Sequence, residues 1–450
     1  MSDAVSRRPA QWSSGYTFLL AALGAAVGLG NIWRFSYVVG ENGGGAFVIV
    51  YVVAVLALGW PLLIAELAIG RSTRTDAVSA FAQISAARPW RWVGWIGVLA
   101  CIAILSYYPV VAGWVVNYLW RYLHGSAALT SSAGYSAQFQ SVISDPGQAI
   151  FFFSLVMFAT IAIVAAGVER GIERTCAILM PVFVLLLVLL AGYGLSLDGA
   201  GRAISFLFTP DWDALGRPAT YLAAIGQAFF SIGLGMGVLI TYGAYVPARE
   251  NLPRAALFLV FGDTLIALLA GLMIFPAVFT YGVDPAQGPT LAFAALPEVF
   301  QAMPGGRGIA ISFFLLLFIA ALTSSVALLE VPVAWTIARW KLRRAHAALL
   351  VGAFALTLGV PVALGYGVLA PAEAGGATLL DRMDHFSSNI LLPLSGIAVA
   401  MMAGWAWRPD VARHAADFSS DAVGMIWLWS LRIVLPLVIG LVMAQGQGWL

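Results

Sequence analysis

The chain has 450 residues, of which 61% are hydrophobic and only 10% charged, with a formal net charge of +2. Soluble globular domains carry about 25% charged residues, so this composition excludes a soluble enzyme or soluble binding module and indicates a multi-pass membrane protein. A net charge so near neutral gives no footing for a nucleic-acid partner.

A stretch that crosses a bilayer needs about 20 mostly apolar residues. Eleven qualify, near 14–38, 44–69, 91–123, 147–167, 172–196, 220–246, 256–281, 308–338, 346–368, 386–406 and 423–445. The first is too long for a cleavable signal peptide and contains Asn31 and Arg34. Sixteen Lys and Arg, from Arg7 and Arg8 through Arg343 and Arg344 to Arg408 and Arg413, fall on one side of the membrane. The other side holds five: Arg121, Arg202, Arg217, Arg307 and Arg382. This bias puts the N-terminus in the cytoplasm, and the odd number of spans puts the C-terminus outside. Cys101 and Cys176 lie on or beside apolar stretches and read as small buried hydrophobes rather than a disulfide.

The first span is interrupted by Gly24 to Asn31, GAAVGLGN, whose glycines at 24, 28 and 30 are poor helix continuers. Backbone freed inside a bilayer must be satisfied by protein or by something held in a cavity. After the glycine-rich turn ENGGGAF (Glu41 to Phe47), the second span carries Glu66, which reads as a partner for helix ends or for the loop residues Arg71 and Arg74. The third contains Tyr107, Tyr108 and Trp114; the fifth contains Gly171 and Pro181, either of which loosens a helix.

The sixth span repeats the opening interruption: Ser231 to Gly237 reads SIGLGMG. Interrupted spans in corresponding places of two halves point to an inverted-repeat transporter with its site near the midplane. The halves would be 14–196 and 220–406, with 423–445 a peripheral eleventh helix, in one transporter domain of 1–450. The seventh span buries Asp263 among Leu, Ile and Ala, where a carboxylate costs roughly 2.5 to 3.5 kcal/mol and normally faces a partner, a cavity or an ion. The eighth contains ALTSS (Ala321 to Ser325), whose hydroxyls alone are weak evidence because such groups bond back to their own helix. It also contains Glu330, which reads as structural. Asp381 and Asp384 open the tenth span at the outer level of Arg34, so that an Arg and an Asp there form either a gate or a fixed ion pair.

With AVGLGNIWRF (Ala26 to Phe35), ENGGGAF, Tyr107 with Tyr108, GQAFFSIGLGMG (Gly226 to Gly237), ALTSS and LDRMD (Leu380 to Asp384), the chain resembles the neurotransmitter:sodium symporter family, bacterial amino-acid branch. Broken helices within inverted repeats are characteristic of that family. The resemblance implies an all-α polytopic membrane protein with a leucine-transporter-like 5+5 inverted repeat, discontinuous helices 1 and 6, and eleven transmembrane helices. It implies two sodium sites: the first from the Ala26 carbonyl, Asn31, Ser231 and Asp263, the second from the carbonyls of Gly24, Val27 and Ala320 with the hydroxyls of Thr323 and Ser324. Both sets are all-oxygen, as a hard cation demands. The implied substrate pocket is Ala25, Gly28, Ile104, Tyr108, Phe230, Gly233, Met236, Ser324 and Leu328. The implied gates are Arg34 with Asp384 and Tyr108 with Phe230, and the implied hinge is Gly171 with Pro181.

The resemblance carries departures. Gly28 stands where monoamine transporters place an Asp, which favours a substrate with its own carboxylate, and Ala25, Gly233 and Met236 leave room for a branched or aromatic side chain. Asp263 stands where many members have Asn, and Ala267 where they have a chloride-binding Ser or a Glu, so transport is expected to need no chloride. Ser36 replaces a usual Pro. Ala338 replaces the Asp of an inner gate, leaving Arg8 without its usual partner. The expected activity is sodium-coupled import of a hydrophobic L-amino acid across a bacterial inner membrane; the rival is an amino-acid sensor that binds but does not turn over. A channel lacks repeated selectivity residues, and an enzyme lacks a nucleophile paired with a base.

Overall fold

The computed structural model describes residues 11–85, 88–125, 134–285, 291–371 and 376–449. Among the described residues the elements are helices, and the one strand-like pairing is an isolated bridge between Gly44 and Pro210. Among the described residues nine helices are long and apolar enough to cross a membrane, and Gly15–Ala26 with Gly30–Glu41 make a further span bent by 58°. Another span is split into Pro218–Ile232 and Val238–Ala244. Together these account for the eleven stretches read in the sequence, and they are numbered here as spans one to eleven in chain order. Arg7 and Arg8 lie outside the described residues.

Both interruptions follow from local chemistry. The inner half of span one starts at a capping box, Ser14 with Thr17, and ends where Val27 turns extended at ψ 111°. The N–H groups freed there find polar partners: that of Gly28 donates to Asn31 Oδ1 at 3.1 Å, and that of Leu29 to the Tyr108 hydroxyl at 3.1 Å. In span six, Gly233, Gly235 and Gly237 have φ of 70°, 81° and 72°, a region that costs an L-residue about 1–2 kcal/mol. The Gly235 N–H donates to Glu66 Oε1 at 2.7 Å, and the Met236 carbonyl accepts from Cys101 Sγ at 3.1 Å. Each break is therefore satisfied by protein, as a low-dielectric surround requires.

Spans three (Pro89–Leu123) and eight (Gly306–Trp340) run side by side, span eight also lies along the inner half of span one, and the inner half of span six lies along span two. Span eleven (Asp421–Gly446) packs on span ten (Leu379–Ala406) at the periphery and leaves most of its surface exposed. The two breaks thus meet at the centre of the bundle.

Candidate functional site

A cavity of about 50 Å³ lies between the breaks. All nine residues expected to hold a substrate line it: Ala25, Gly28, Ile104, Tyr108, Phe230, Gly233, Met236, Ser324 and Leu328. Ile232, Val238, Leu239 and Ala327 line it as well; as ordinary apolar residues they carry no sequence signal beyond adjacency to the glycine break or to ALTSS. The glycines are small for a reason. A Cβ on Gly28 would sit 2.9 Å from the Tyr108 hydroxyl and 3.0 Å from Ser324 Oγ, and one on Gly30 would sit 2.8 Å from the Phe230 ring. The end of the cavity near Gly28 presents a tyrosine hydroxyl and the first N–H groups of a half-helix, an arrangement that favours an anion. The opposite end is apolar and flexible, walled by the adaptable Met236.

Beside the cavity, four expected residues converge. Asn31 Nδ2 donates to Ser231 Oγ at 2.7 Å and to Asp263 Oδ1 at 2.6 Å, and Ser231 Oγ donates to Asp263 Oδ2 at 2.7 Å. Ala26 borders the same space. Tyr51, which no sequence motif singles out, adds its hydroxyl at 3.2 Å from Ser231 Oγ and 3.4 Å from Asp263 Oδ2. Asp263 is fully buried and has no cationic side chain among its hydrogen-bond or ion-pair partners. Carboxylate, amide, hydroxyl and carbonyl oxygens fit a small hard cation. Coordination by Asn31 requires its terminal amide to present oxygen instead of nitrogen, a rotation that gives up the bond from the Gly28 N–H to Oδ1 and frees that N–H for another acceptor.

A second oxygen cluster joins span one to span eight. Ser324 Oγ donates to the Val27 carbonyl at 3.1 Å, and Thr323 Oγ1 to the Ala320 carbonyl at 3.1 Å. A Cβ on Gly24 would lie 3.3 Å from Thr323 Cβ, so Gly24, Val27, Ala320, Thr323 and Ser324 are neighbours, with the Thr323 hydroxyl also bonded back to the Ile319 carbonyl of its own helix at 3.0 Å. Here too the donors are all oxygens.

On the far side of Phe230 and Tyr108 lies a larger cavity of about 270 Å³, lined by Arg34, Asp381 and Asp384 among aromatic residues. The expected Arg34–Asp384 pair is not formed in this conformation. Arg34 instead donates to Gln227 Oε1 at 2.5 Å, with its guanidinium 4.7 Å from the centre of the Phe230 ring. Asp384 accepts from the Tyr107 hydroxyl at 2.8 Å and from Ser388 at 3.0 Å. Each group has found a nearer partner across the open cavity, and Asp381 caps the start of span ten with Thr378.

The opposite mouth is closed. Trp12 is buried, its backbone N–H donating to the Tyr245 carbonyl and its indole N–H to the Tyr242 carbonyl, both at 3.0 Å. Ser13 donates to Glu173. Glu330 accepts from the Tyr245 hydroxyl at 2.8 Å and pairs with Arg344, consistent with its structural reading. Glu66 also takes a structural role, but toward the break in span six; Arg71 pairs with Asp417 instead. Gly171 and Pro181 lie in a helix that is continuous from Val168 to Leu195, with Gly171 packed against the end of span four at the Ile163 carbonyl. Gly171 itself lies in a π turn, Val168–Glu173, that leads directly into the α-helix Arg174–Leu195 carrying Pro181.

Residues 9–134 and 133–446 match the profile of the Sodium:neurotransmitter symporter family. An uncharacterised sodium-dependent transporter of Bacillus subtilis is 38% identical over 436 residues, 96% of this chain and 96% of its own length. One from Haemophilus influenzae is 34% identical over 95% of this chain and 96% of its own length. Among solved structures, that of MhsT in complex with L-phenylalanine superposes with a TM-score of 0.90 at 45% identity, covering 97% of this chain and 99% of that one.

Proposed function

We infer function from what these matches establish: the chain belongs to the sodium:neurotransmitter symporter family and is a sodium-dependent, multi-pass membrane transporter with the leucine-transporter-like fold. We propose that it imports a hydrophobic L-amino acid, branched or aromatic, together with sodium at two sites. The observation that carries this reading is the cavity between the breaks, anion-favouring at Tyr108 and Gly28, apolar at Met236 and Leu328, and flanked by two all-oxygen clusters. The phenylalanine held by the similar MhsT agrees with a cavity of this character.

In the proposed cycle, outside sodium fills the Ala26–Asn31–Ser231–Asp263 cluster and the Gly24–Val27–Ala320–Thr323–Ser324 cluster. The substrate carboxylate then binds Tyr108 and the amides near Gly28, and also faces the first cation. Phe230 and Tyr108 close over the side chain, and Arg34 leaves Gln227 to pair with Asp384. Opening of the inner mouth, eased by Gly171 and Pro181, releases sodium and substrate. Each cation carried inward gains roughly 2.3 kcal/mol per 100 mV of membrane potential, besides its concentration gradient. Rocking of the helix bundle, built from the 14–196 and 220–406 repeats, opens the cytoplasmic path. The positive-inside bias places the closed mouth, and the N-terminus, in the cytoplasm.

The test is uptake of labelled leucine, phenylalanine and tryptophan into proteoliposomes under an inward sodium gradient. Sodium-stimulated, mutually competitive uptake is expected; uptake that is equal without the gradient, or displaced by none of these amino acids, refutes the reading. Sodium-dependent binding without counterflow would favour the sensor.

A further inference from the structure

Arg432 is a charge placed inside span eleven that the transport mechanism does not use. Of the six π turns among the described residues, Met402–Ala406 in span ten and Ser430–Val434 in span eleven face one another. They lock together through two reciprocal bonds: Arg432 Nε donates to the Gly404 carbonyl at 2.6 Å, and Trp405 Nε1 to the Arg432 carbonyl at 3.3 Å. Gly404 admits the close approach, since a Cβ there would lie 2.9 Å from Arg432 Cγ.

The guanidinium is held but not neutralised. It lies 5.2 Å from the Trp405 ring centre and 5.3 Å from that of Trp429, and both rings are among the exposed large hydrophobics of the protein surface. Among the described residues its terminal nitrogens have no hydrogen-bond acceptor, and none of the ion pairs includes it. The acids of the neighbouring 409–421 segment are engaged elsewhere: Asp410 and Asp421 with Arg413, and Asp417 with Arg71. An unpaired charge within a membrane span is costly, so an anion from outside the chain would stabilise the group.

Position indicates which anion. Span ten ends at Ala406 and Arg408 follows, so Gly404 lies within about one turn of the arginine-rich face. Exposed tryptophans favour the headgroup level, and an arginine extends its side chain toward that level. Beyond it, exposed Ile433, Leu437 and Leu441 continue an apolar surface along span eleven, suited to an acyl chain. We propose that Arg432, clasped by Trp405 and Trp429, binds the phosphate of an anionic phospholipid in the leaflet on the arginine-rich side. The planar guanidinium offers a bidentate face to phosphate while its stacking on the rings keeps it oriented. A lipid of net negative charge neutralises the site, whereas a zwitterionic one brings its own ammonium.

The test is native mass spectrometry of the full-length protein exchanged against phosphatidylglycerol, phosphatidylethanolamine or inorganic phosphate at matched concentration. Wild type should retain phosphatidylglycerol over phosphatidylethanolamine. Arg432→Gln should lower phosphatidylglycerol retention by about fivefold, the factor corresponding to one arginine–anionic-lipid contact. Preservation of substrate-induced thermal stabilisation in the variant verifies its fold. Should it not fold, Arg432→Lys carries the test, because an ammonium cannot both donate to Gly404 and present a stacked bidentate face; weaker retention is again expected. Unchanged retention in the folded variant, no preference between the two lipids, or equal binding of inorganic phosphate overturns the proposal.

Discussion

Asp263→Asn tests whether the buried carboxylate supplies charge to a bound cation. Among the described residues Asp263 has no basic partner and accepts from Asn31, Ser231 and Tyr51. A sodium ion in this cluster would lie about 4 Å or less from the carboxylate carbon, where unit charges attract by about 4 kcal/mol at an effective dielectric of 20. Asparagine keeps one oxygen but no charge, so most of this is lost, corresponding to a sodium affinity weaker by about a hundredfold to a thousandfold. The assay is a sodium titration of substrate-induced thermal stabilisation, in gluconate and again in chloride, with potassium as the control for fold. Wild type should titrate identically with either anion. The variant should need far more sodium in gluconate, and chloride should restore part of the loss if it can occupy the space next to Ala267. If the variant in gluconate stays within about twofold of wild type, the spread of a neutral substitution, the carboxylate is not a cation ligand and the case for chloride-independent transport falls with it.

Three further substitutions probe the rest of the site. Gly28→Ala places a methyl 2.9 Å from the Tyr108 hydroxyl and 3.0 Å from Ser324 Oγ; overpacking of this kind costs about 1–3 kcal/mol, so equilibrium binding of radiolabelled amino acid should weaken by about tenfold or more. Tyr108→Phe removes a hydroxyl expected to meet the substrate carboxylate, and a hydrogen bond to a charged group is worth about 1.5–3 kcal/mol; calorimetry should give a Kd raised by about tenfold to a hundredfold, and an unchanged Kd would exclude that role. Gly235→Ala forces a side chain at φ 81° with its Cβ 2.8 Å from the Leu392 carbonyl; the left-handed backbone alone costs about 1–2 kcal/mol, and a lower Tm in the absence of substrate and sodium is the expected result.

Legibility of the sequence varies with the kind of constraint. The breaks at Gly24–Asn31 and Ser231–Gly237 are readable because glycine within an apolar span contradicts helix propensity, and the positive φ at Gly233, Gly235 and Gly237 gives the physical need. Asp263 is readable for the opposite reason, as charge placed where charge is expensive. The grouping of Asn31, Ser231 and Asp263 into one cluster comes from family resemblance, since no spacing rule links residues so far apart in the chain. Tyr51, Val238, Leu239 and Ala327 stay hidden because each is an ordinary occupant of a membrane helix. The Arg34–Asp384 pairing is a different case: the sequence can place both at the outer level, but partner choice depends on conformation, and here Gln227 and Tyr107 are the partners.

The bonds at the two mouths identify which step the proposed cycle must drive. In the proposed cycle, outer closure brings Phe230 and Tyr108 over the substrate and moves Arg34 from Gln227 to Asp384, so Arg34 keeps a polar partner. Inside, opening must break both Trp12 bonds, release Ser13 from Glu173 and uncover an indole now buried against Tyr242 and Tyr245. At about 0.5–1.5 kcal/mol per hydrogen bond, with burial of the aromatic ring adding to them, the inner mouth is the more firmly held. Ser324 strengthens this asymmetry by tying the Val27 carbonyl to span eight at 3.1 Å, and in the proposed function a sodium ion among Gly24, Val27, Ala320, Thr323 and Ser324 would add to the same tie. In the proposed cycle, sodium at this site favours the conformation with the Trp12 mouth closed, and its departure removes one restraint on the inner half of span one. The order of release then matters in that cycle: loss of the second cluster's cation loosens a tie that acts alongside the Trp12 bonds to Tyr242 and Tyr245, which couples substrate delivery to sodium flow without direct contact between that cation and the amino acid.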